Sequence, residues 1–383
     1  PFTMIKYLQK ISLCLIFLMG MMFPVKATET SPTFIRDAEI EHYLRALATP
    51  IFKVAGFAPS SINLLIIEDS DINAFVAGGL NMFFYTGLLL ETDSAEELQG
   101  IIAHETGHLE GGHQLRGREA MENASAETII GMIAGIAAGI AAGKPEIAMG
   151  TLAGAQTYAT RSYLSFSRAQ ESSADAAAMR YLTSSGSTTE GFLTFMKKLQ
   201  GLESSPYSRA TEYALTHPLS IDRVNAIQQF HDEHKEQQNK KLPASFARQH
   251  ERMKAKLLGY LRPEWTLLRY GKKDTRLNAR YARAIALYRT NKIKESLSLL
   301  ETLIKEEPAN PFFLELKAQM LFETGHINDS LRYYKRCVQA VPDSALLHQA
   351  YGHALLEKGD SASLTQAITE LITASKLEER SSR

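Results

Sequence analysis

The sequence has little to staple it together. Only two cysteines occur in 383 residues, Cys14 and Cys337. Cys14 lies in an N-terminal segment expected to be removed, so no intramolecular disulfide is available to the remainder. Lysines and arginines balance aspartates and glutamates, 42 against 42, so no excess positive charge draws the chain to nucleic acid. There is one tryptophan. No apolar run reaches the roughly 20 residues that a membrane-spanning helix needs. Composition is otherwise that of a globular protein, long enough for two or three domains and a sizeable core. Stability must then come from packing, helix stacking and any bound metal.

The N-terminus stands apart. Lys6 and Lys10 precede an apolar stretch from Ile11 to Phe23, followed by Pro24 and then Val25-Lys26-Ala27. A basic region, a short apolar region and small residues at a cleavage site form a secretory signal. The expectation is translation from Met4, cleavage after Ala27 and export to the periplasm. An exported protein without disulfides fits that compartment better than a small secreted scaffold. Removal takes Lys6, Lys10 and Lys26 with it and leaves an acidic excess of about three.

Along the rest of the chain, residues 36–57 have apolar residues at helical spacing. Ile62 to Ile67 reads as a strand; Ala74 to Ala77 and Leu80 to Tyr85 read as two more, joined through Gly78-Gly79 as a hairpin. Ser94 with Glu97 forms a capping box that opens a helix to about residue 115. Residues 145–183 and 188–201 are further helical stretches. The polar stretch 231–241 reads as a linker or a fraying helix end, and a domain boundary falls near Pro243.

Beyond that boundary the chain repeats. Asn291, Gly325 and Gly359 are spaced by 34, as are Ala284, Ala318 and Gly352, and as are Pro308 and Pro342. A 34-residue period of paired helices is the tetratricopeptide signature. The third copy departs from it: Ser361-Ala362-Ser363 reads as an insertion, and Lys376 stands where proline is expected.

The chemistry concentrates in His104-Glu105-Thr106-Gly107-His108, inside the capped helix. Histidines at i and i+4 share a helical face and can bind one ion; Glu105 is placed to reach a water on that ion. A catalytic zinc needs a third protein ligand and an open fourth position. A histidine six residues after His108 would complete one familiar pattern, but Gln114 occupies that position. His113 is off by one and faces elsewhere, so it reads as structural. Glu171, with Asp175 one helical turn later, is a third candidate, although two acids at that spacing are commonly a solvated face.

The combined pattern resembles the M48 metallopeptidases. It rests on Asn73-Ala74-Phe75, Tyr85-Thr86-Gly87-Leu88-Leu89, His104 to His108 with His113, Glu171 to Asp175, and Thr216-His217-Pro218 with Arg223. The resemblance is to the periplasmic branch with a C-terminal tetratricopeptide domain, and covers nearly the whole exported chain. It implies an α+β, mostly α architecture: a zincin-like protease domain over residues 28–242, with a small β-sheet and the H-E-x-x-H helix, then an all-α repeat domain over 243–383. It implies one zinc ion held by His104, His108 and Glu171, with Glu105 as general base and Asp175 orienting a ligand imidazole. His217 is given an active-site role near the metal or the oxyanion. Arg223 either orients that segment or aids charge stabilisation, or else is a surface ion pair.

Asn73, Ala74 and Phe75 would open an edge strand beside the catalytic helix, pairing with an extended peptide through main-chain hydrogen bonds. Ile129 to Gly143 carries glycine at every fourth position. Its plain reading is a helix packed on the protease domain; the sharper one is a movable flap or a peripheral membrane contact over the cleft. Two functions compete. One is an endopeptidase acting on misassembled outer-membrane proteins, with the repeats recruiting clients or the outer-membrane assembly machinery. The other is a periplasmic chaperone or scaffold whose repeats bind clients while proteolysis is secondary.

Overall fold

The structure, a computed structural model, describes residues 33–77, 79–112, 168–203, 213, 216–235 and 241–381. The expected signal segment, Ile129 to Gly143, His113 and Gln114 lie outside the described residues.

A four-stranded sheet and a set of helices surround the H-E-x-x-H helix. The strands are β1 (Phe34–Ile35), β2 (Asn63–Ile67), β3 (Ala74–Ala77) and β4 (Asn81–Tyr85), in spatial order β1-β2-β4-β3. β2 and β4 run parallel; the β3–β4 hairpin is antiparallel, with Phe75 opposite Phe83. Alternation sorts the faces. Leu64, Ile66, Met82, Phe84 and Ala74 enter the core, while Leu65, Phe83 and Phe75 lie on the other side, where the last two stack at 4.9 Å.

Helix α1 (Ala38–Val54) is capped by Asp37, whose side chain accepts from Ile40 N. It buries Ile40, Tyr43, Leu44, Leu47, Ile51 and Phe52, the stripe that helical spacing predicts. Each such side chain contributes about 1.5–3 kcal/mol through burial. After the short α2 (Thr86–Glu91) comes α3 (Ala95–Glu110), the motif helix, buried from Leu98 to Leu109. Ser94 Oγ accepts from Glu97 N at 3.1 Å, as the capping box requires. Glu97 turns back one residue further than expected, accepting from Asp93 N at 2.8 Å.

Helices α4 (168–184) and α5 (Glu190–Glu203) pack on α3. Two glycines of α3 set how closely they approach. A Cβ on Gly107 would stand 2.9 Å from Ala174 O, and one on Gly100 would stand 2.5 Å from Phe192 Cβ. Any larger residue at either position pushes its neighbour off the motif helix. Helix α6 (Ile221–Glu233) follows, and includes the start of the polar stretch read as a linker.

The remaining helices are α7 (Ala244–Leu261), α8 (Pro263–Arg269), α9 (Leu277–Arg289), α10 (Ile293–Glu306), α11 (Pro311–Glu323), α12 (Ile327–Ala340), α13 (Ala345–Lys358) and α14 (Ser361–Ser381). The last six form three pairs with the 34-residue period. Asn291, Gly325 and Gly359 close the first helix of each pair at φ of 60°, 82° and 73°. That left-handed conformation ends a helix and suits glycine or asparagine. Ala284, Ala318 and Gly352 are buried where paired helices meet. In the third pair a Cβ on Gly352 would reach within 2.8 Å of Leu371 Cγ, so only glycine allows that approach. The expected insertion is not one. Ser361 starts α14 two residues after Gly359, the offset that Ile293 has from Asn291, and Ser361-Ala362-Ser363 form its first turn. Without proline at Lys376, α14 runs on to Ser381.

The described residues from Phe34 onward pack as one compact unit. A buried ionic cluster ties α1 to the helices after Pro243. Lys256 Nζ lies 2.9 Å from Asp37 and 3.4 Å from Glu39; Glu39 also accepts from Arg252 and from the Tyr281 hydroxyl. Glu315 is left at the margin, 3.9 Å from Lys256 Nζ. Burial pushes its carboxyl up to about 7, against the pull of Lys256. An unfolded glutamate titrates near 4.3, so the folded chain holds this proton more tightly. Its stabilising contribution is full below about pH 4 and is lost as pH rises through 7. Glu315→Gln is expected to flatten that segment of the stability profile, gaining on the order of 1–3 kcal/mol relative to the parent between pH 5 and pH 8. Denaturant unfolding at the two pH values measures it, and parallel profiles would refute it.

Candidate metal centre

Three elements converge on one point. Helix α3 brings His104, Glu105 and His108; α4 brings Glu171 and Asp175; the segment before α6 brings His217, with Arg223 one turn into α6. All seven are buried. His104 Nε2 and His108 Nε2 are 3.1 Å apart. Glu171 closes the triangle, with Oε2 3.3 Å from His104 Nε2 and Oε1 3.1 Å from His108 Nε2. The edge of a tetrahedron with metal–ligand bonds of ~2.0–2.1 Å is about 3.3 Å. Three donors facing one another at that spacing, two imidazoles and a carboxylate, suit a zinc-sized cation. One donor atom from His217 joins them, and the four lie within 4.8 Å of one another.

The supporting groups favour that use. His104 Nδ1 lies 2.9 Å from Asp175 Oδ1, which leaves Nε2 as the ring's lone pair toward the centre. Arg223 forks onto Asp175, Nε to Oδ2 at 2.7 Å and Nη2 to Oδ1 at 2.8 Å. Its Nη1 reaches Glu171 Oε2 at 3.0 Å and donates to Pro218 O at 3.0 Å. Of the two readings of Arg223, the buried fork is the one the fold adopts; it is not a surface pair.

Electrostatics follow from this packing. Burial lowers the His104 pKa, but Asp175 and Glu171 outweigh it and raise it to about 10. A bound cation would satisfy the same carboxylates. Burial depresses His108. Burial would raise Glu171, yet His217 and the two motif histidines hold its carboxyl well below the ordinary range. Asp175 is likewise held down by Arg223 and His104 against the effect of burial.

Glu105 is fully buried, and neither of its oxygens accepts a hydrogen bond among the described residues. His217 Nε2 lies 3.3 Å from Glu105 Oε1. A buried carboxylate without donors is costly unless water or a cation answers it. The orphaned carboxylate therefore agrees with the donor triangle: the residues present fit a metal.

Substrate-side residues are placed as follows. Ala74 is buried on the inner face of β3, and Phe75 is half-buried on the outer face. Asn73 is buried, and its Oδ1 accepts from Thr216 Oγ1 at 3.1 Å, so its side chain ties β3 to the His217 segment. Thr216 Oγ1 also lies 2.9 Å from His217 Nδ1. The sequence reading did not single out Tyr213 or Phe192. Tyr213 stacks on the His217 ring at 4.7 Å, and its buried hydroxyl has no hydrogen bond among the described residues. Burial and the Glu105 charge push that hydroxyl's pKa well up, keeping it neutral. Phe192 packs 5.8 Å from the His104 ring. Neither has a local signal, since each is an ordinary aromatic outside the motif residues.

Comparison with known proteins points the same way. The family model described as peptidase family M48 matches residues 35–231. Beta-barrel assembly-enhancing protease of Yersinia pestis is 27% identical over 302 residues, covering 77% of this chain and 60% of that protein. The protein of the same name from Escherichia coli K12 is 25% identical over 323 residues, covering 81% and 64%. Metalloprotease LoiP of Escherichia coli K12 is 28% identical over 170 residues, 43% of this chain. The chain thus spans about 60–64% of the length of the two longer matches.

Proposed function

Since the chain belongs to peptidase family M48, we propose that it is a zinc-dependent endopeptidase whose metal is held by His104, His108 and Glu171. The observation that carries this reading is the donor triangle, 3.1–3.3 Å on each edge, beside a buried Glu105 whose oxygens accept no hydrogen bond among the described residues. A zinc ion there supplies Lewis acidity, which makes water a usable nucleophile near neutral pH and polarises a peptide carbonyl.

The chain's own residues do the rest. Glu105 removes a proton from the attacking water and passes it to the departing amine nitrogen as the peptide bond breaks. Asp175 holds the His104 ring in one tautomer, and Arg223 holds Asp175 and Glu171 in place. His217, 3.3 Å from Glu105, is the group nearest the proton's path and a potential fourth donor to the ion. Strand β3 is the edge of the sheet among the described residues. Because Tyr85 N donates to Asn73 O, the hydrogen-bonded pairs with β4 fall at Asn73, Phe75 and Ala77. The main-chain groups of Ala74 and Val76 point the other way, toward an added strand. An extended peptide can pair there beside the motif helix, with little demand on its sequence.

The relatives' names speak of a protease and of β-barrel assembly; the finer reading we propose is that the substrates are misassembled outer-membrane proteins, met in the periplasm after cleavage of the signal. Residues 28–242 then form the peptidase and 243–383 the tetratricopeptide part, whose helix pairs recruit clients or assembly partners. The alternative, a periplasmic chaperone or scaffold whose repeats bind clients while proteolysis is secondary, is favoured by no contact at the metal centre. No described helix is long and apolar enough to cross a membrane.

Metal analysis combined with a protein-degradation assay tests the proposal. The purified chain is expected to carry one zinc, to lose turnover with a chelator and to regain it when zinc is returned. Turnover unaffected by complete metal removal would end this reading.

A further inference from the structure

The chain's single tryptophan, Trp265, is 45% exposed, and Leu268 three residues later is 85% exposed. Both belong to α8, and a spacing of three places them on one helical face. Side chains of this size are ordinarily withdrawn from water. The helix that presents them is anchored from behind. Thr266 is fully buried and donates from Oγ1 to Leu258 O at 2.8 Å; Arg283 donates to Tyr270 O at 2.7 Å just past the helix end. The apolar pair therefore sits on a fixed ledge and not on a fraying end.

Cations surround it. Arg262, Arg269, Lys272 and Lys273 are exposed. Among the described residues, the ion pair within this stretch is Arg276 with Asp274, at 2.6 Å. Asp274 is thereby engaged, leaving Glu264 as the one other carboxylate between residues 262 and 276. This stretch thus combines an indole, a protruding leucine and four exposed cations with one unengaged acid of its own, Glu264. Protein–protein interface cores are depleted in charge and in lysine. A bilayer surface matches instead: indole at the headgroup level, an aliphatic group at the acyl boundary, and cations on lipid phosphates.

We propose that α8 and the loop after it, residues 262–273, form a peripheral docking surface for bilayers containing anionic phospholipid. This surface is separate from the metal centre and does not depend on peptidase activity.

Having one tryptophan makes the test direct. The exported chain is mixed with vesicles of phosphatidylglycerol and phosphatidylethanolamine, or of phosphatidylcholine alone. Trp265 emission is expected to shift to the blue, and to be quenched by brominated acyl chains, with the anionic vesicles at low salt. The response should fade as ionic strength rises. Lys272→Gln with Lys273→Gln is expected to weaken partitioning about thirtyfold, at ~1 kcal/mol for each of the two cations near such a surface. Leu268→Ser, at so exposed a position, should remove the blue shift and leave the circular dichroism unchanged. Absence of shift and quenching with anionic vesicles at low salt overturns the proposal. So does flotation undiminished in both variants, which would place the contact elsewhere, and so does a shift produced only by a partner protein.

Discussion

Glu105→Gln is expected to slow peptide-bond cleavage by about a thousandfold while the protein keeps its metal, within the range that a positioned general base contributes. The donor triangle of His104, His108 and Glu171 does not include residue 105, so an amide there would leave the donors of the proposed ion in place. Glutamine has nearly the same shape, which preserves the packing of a fully buried position. It cannot accept the proton that the attacking water must lose. The metal-free variant should also unfold at a somewhat higher temperature than the metal-free parent, because a buried carboxylate without hydrogen-bond donors is removed. Rates compared at matched zinc content, with metal measured by emission spectroscopy, decide the matter. Undiminished turnover would leave the chemistry without its base and send the proposal back to the repeats.

Glu171→Ala should act on the other half of the site, lowering zinc affinity by about 10²–10³, one ligand's share of a typical binding free energy. Glu171 is the donor that faces both imidazoles, and Arg223 holds it there at 3.0 Å. Alanine preserves the helix, and Arg223 retains its two bonds to Asp175, so the loss is one of ligation rather than of folding. Competition with a chromophoric chelator gives the affinity, and near-ultraviolet circular dichroism checks the packing. Parental affinity in this variant would mean that the carboxylate is not a ligand. The pair of substitutions separates chemistry from binding: one keeps metal without turnover, the other loses metal first.

What could be read along the chain was whatever depends on near neighbours. Ser94 and Glu97 announce a helix start because a cap satisfies donors within one turn. His104 and His108 declare a shared face because a helix repeats every 3.6 residues. The Asn291, Gly325 and Gly359 series marks helix ends because left-handed backbone suits few side chains. The overestimate of the motif helix, to about residue 115 instead of Glu110, shows the limit of such reading, since periodicity marks a helix's existence better than its end. The insertion inferred at Ser361 was a residue pattern mistaken for a change of length.

Tertiary structure alone decided the remainder. Spacing could not choose between a donor and a solvated acid at Glu171, and only the resemblance named it; the contact of Gly107 with Ala174 brings α4 against the motif helix and sets that carboxylate 3.1–3.3 Å from both imidazoles. Arg223 forks onto Asp175 across 48 residues, and Thr216 reaches Asn73 across 143. Tyr213 stacks on His217, and Trp265 stands out from the surface, without a sequence sign of either. Residues alone specify the local bonds, because hydrogen-bond geometry and periodicity act within a few positions. Which distant groups share a buried space is settled by the close packing of whole elements, and only the folded chain expresses that.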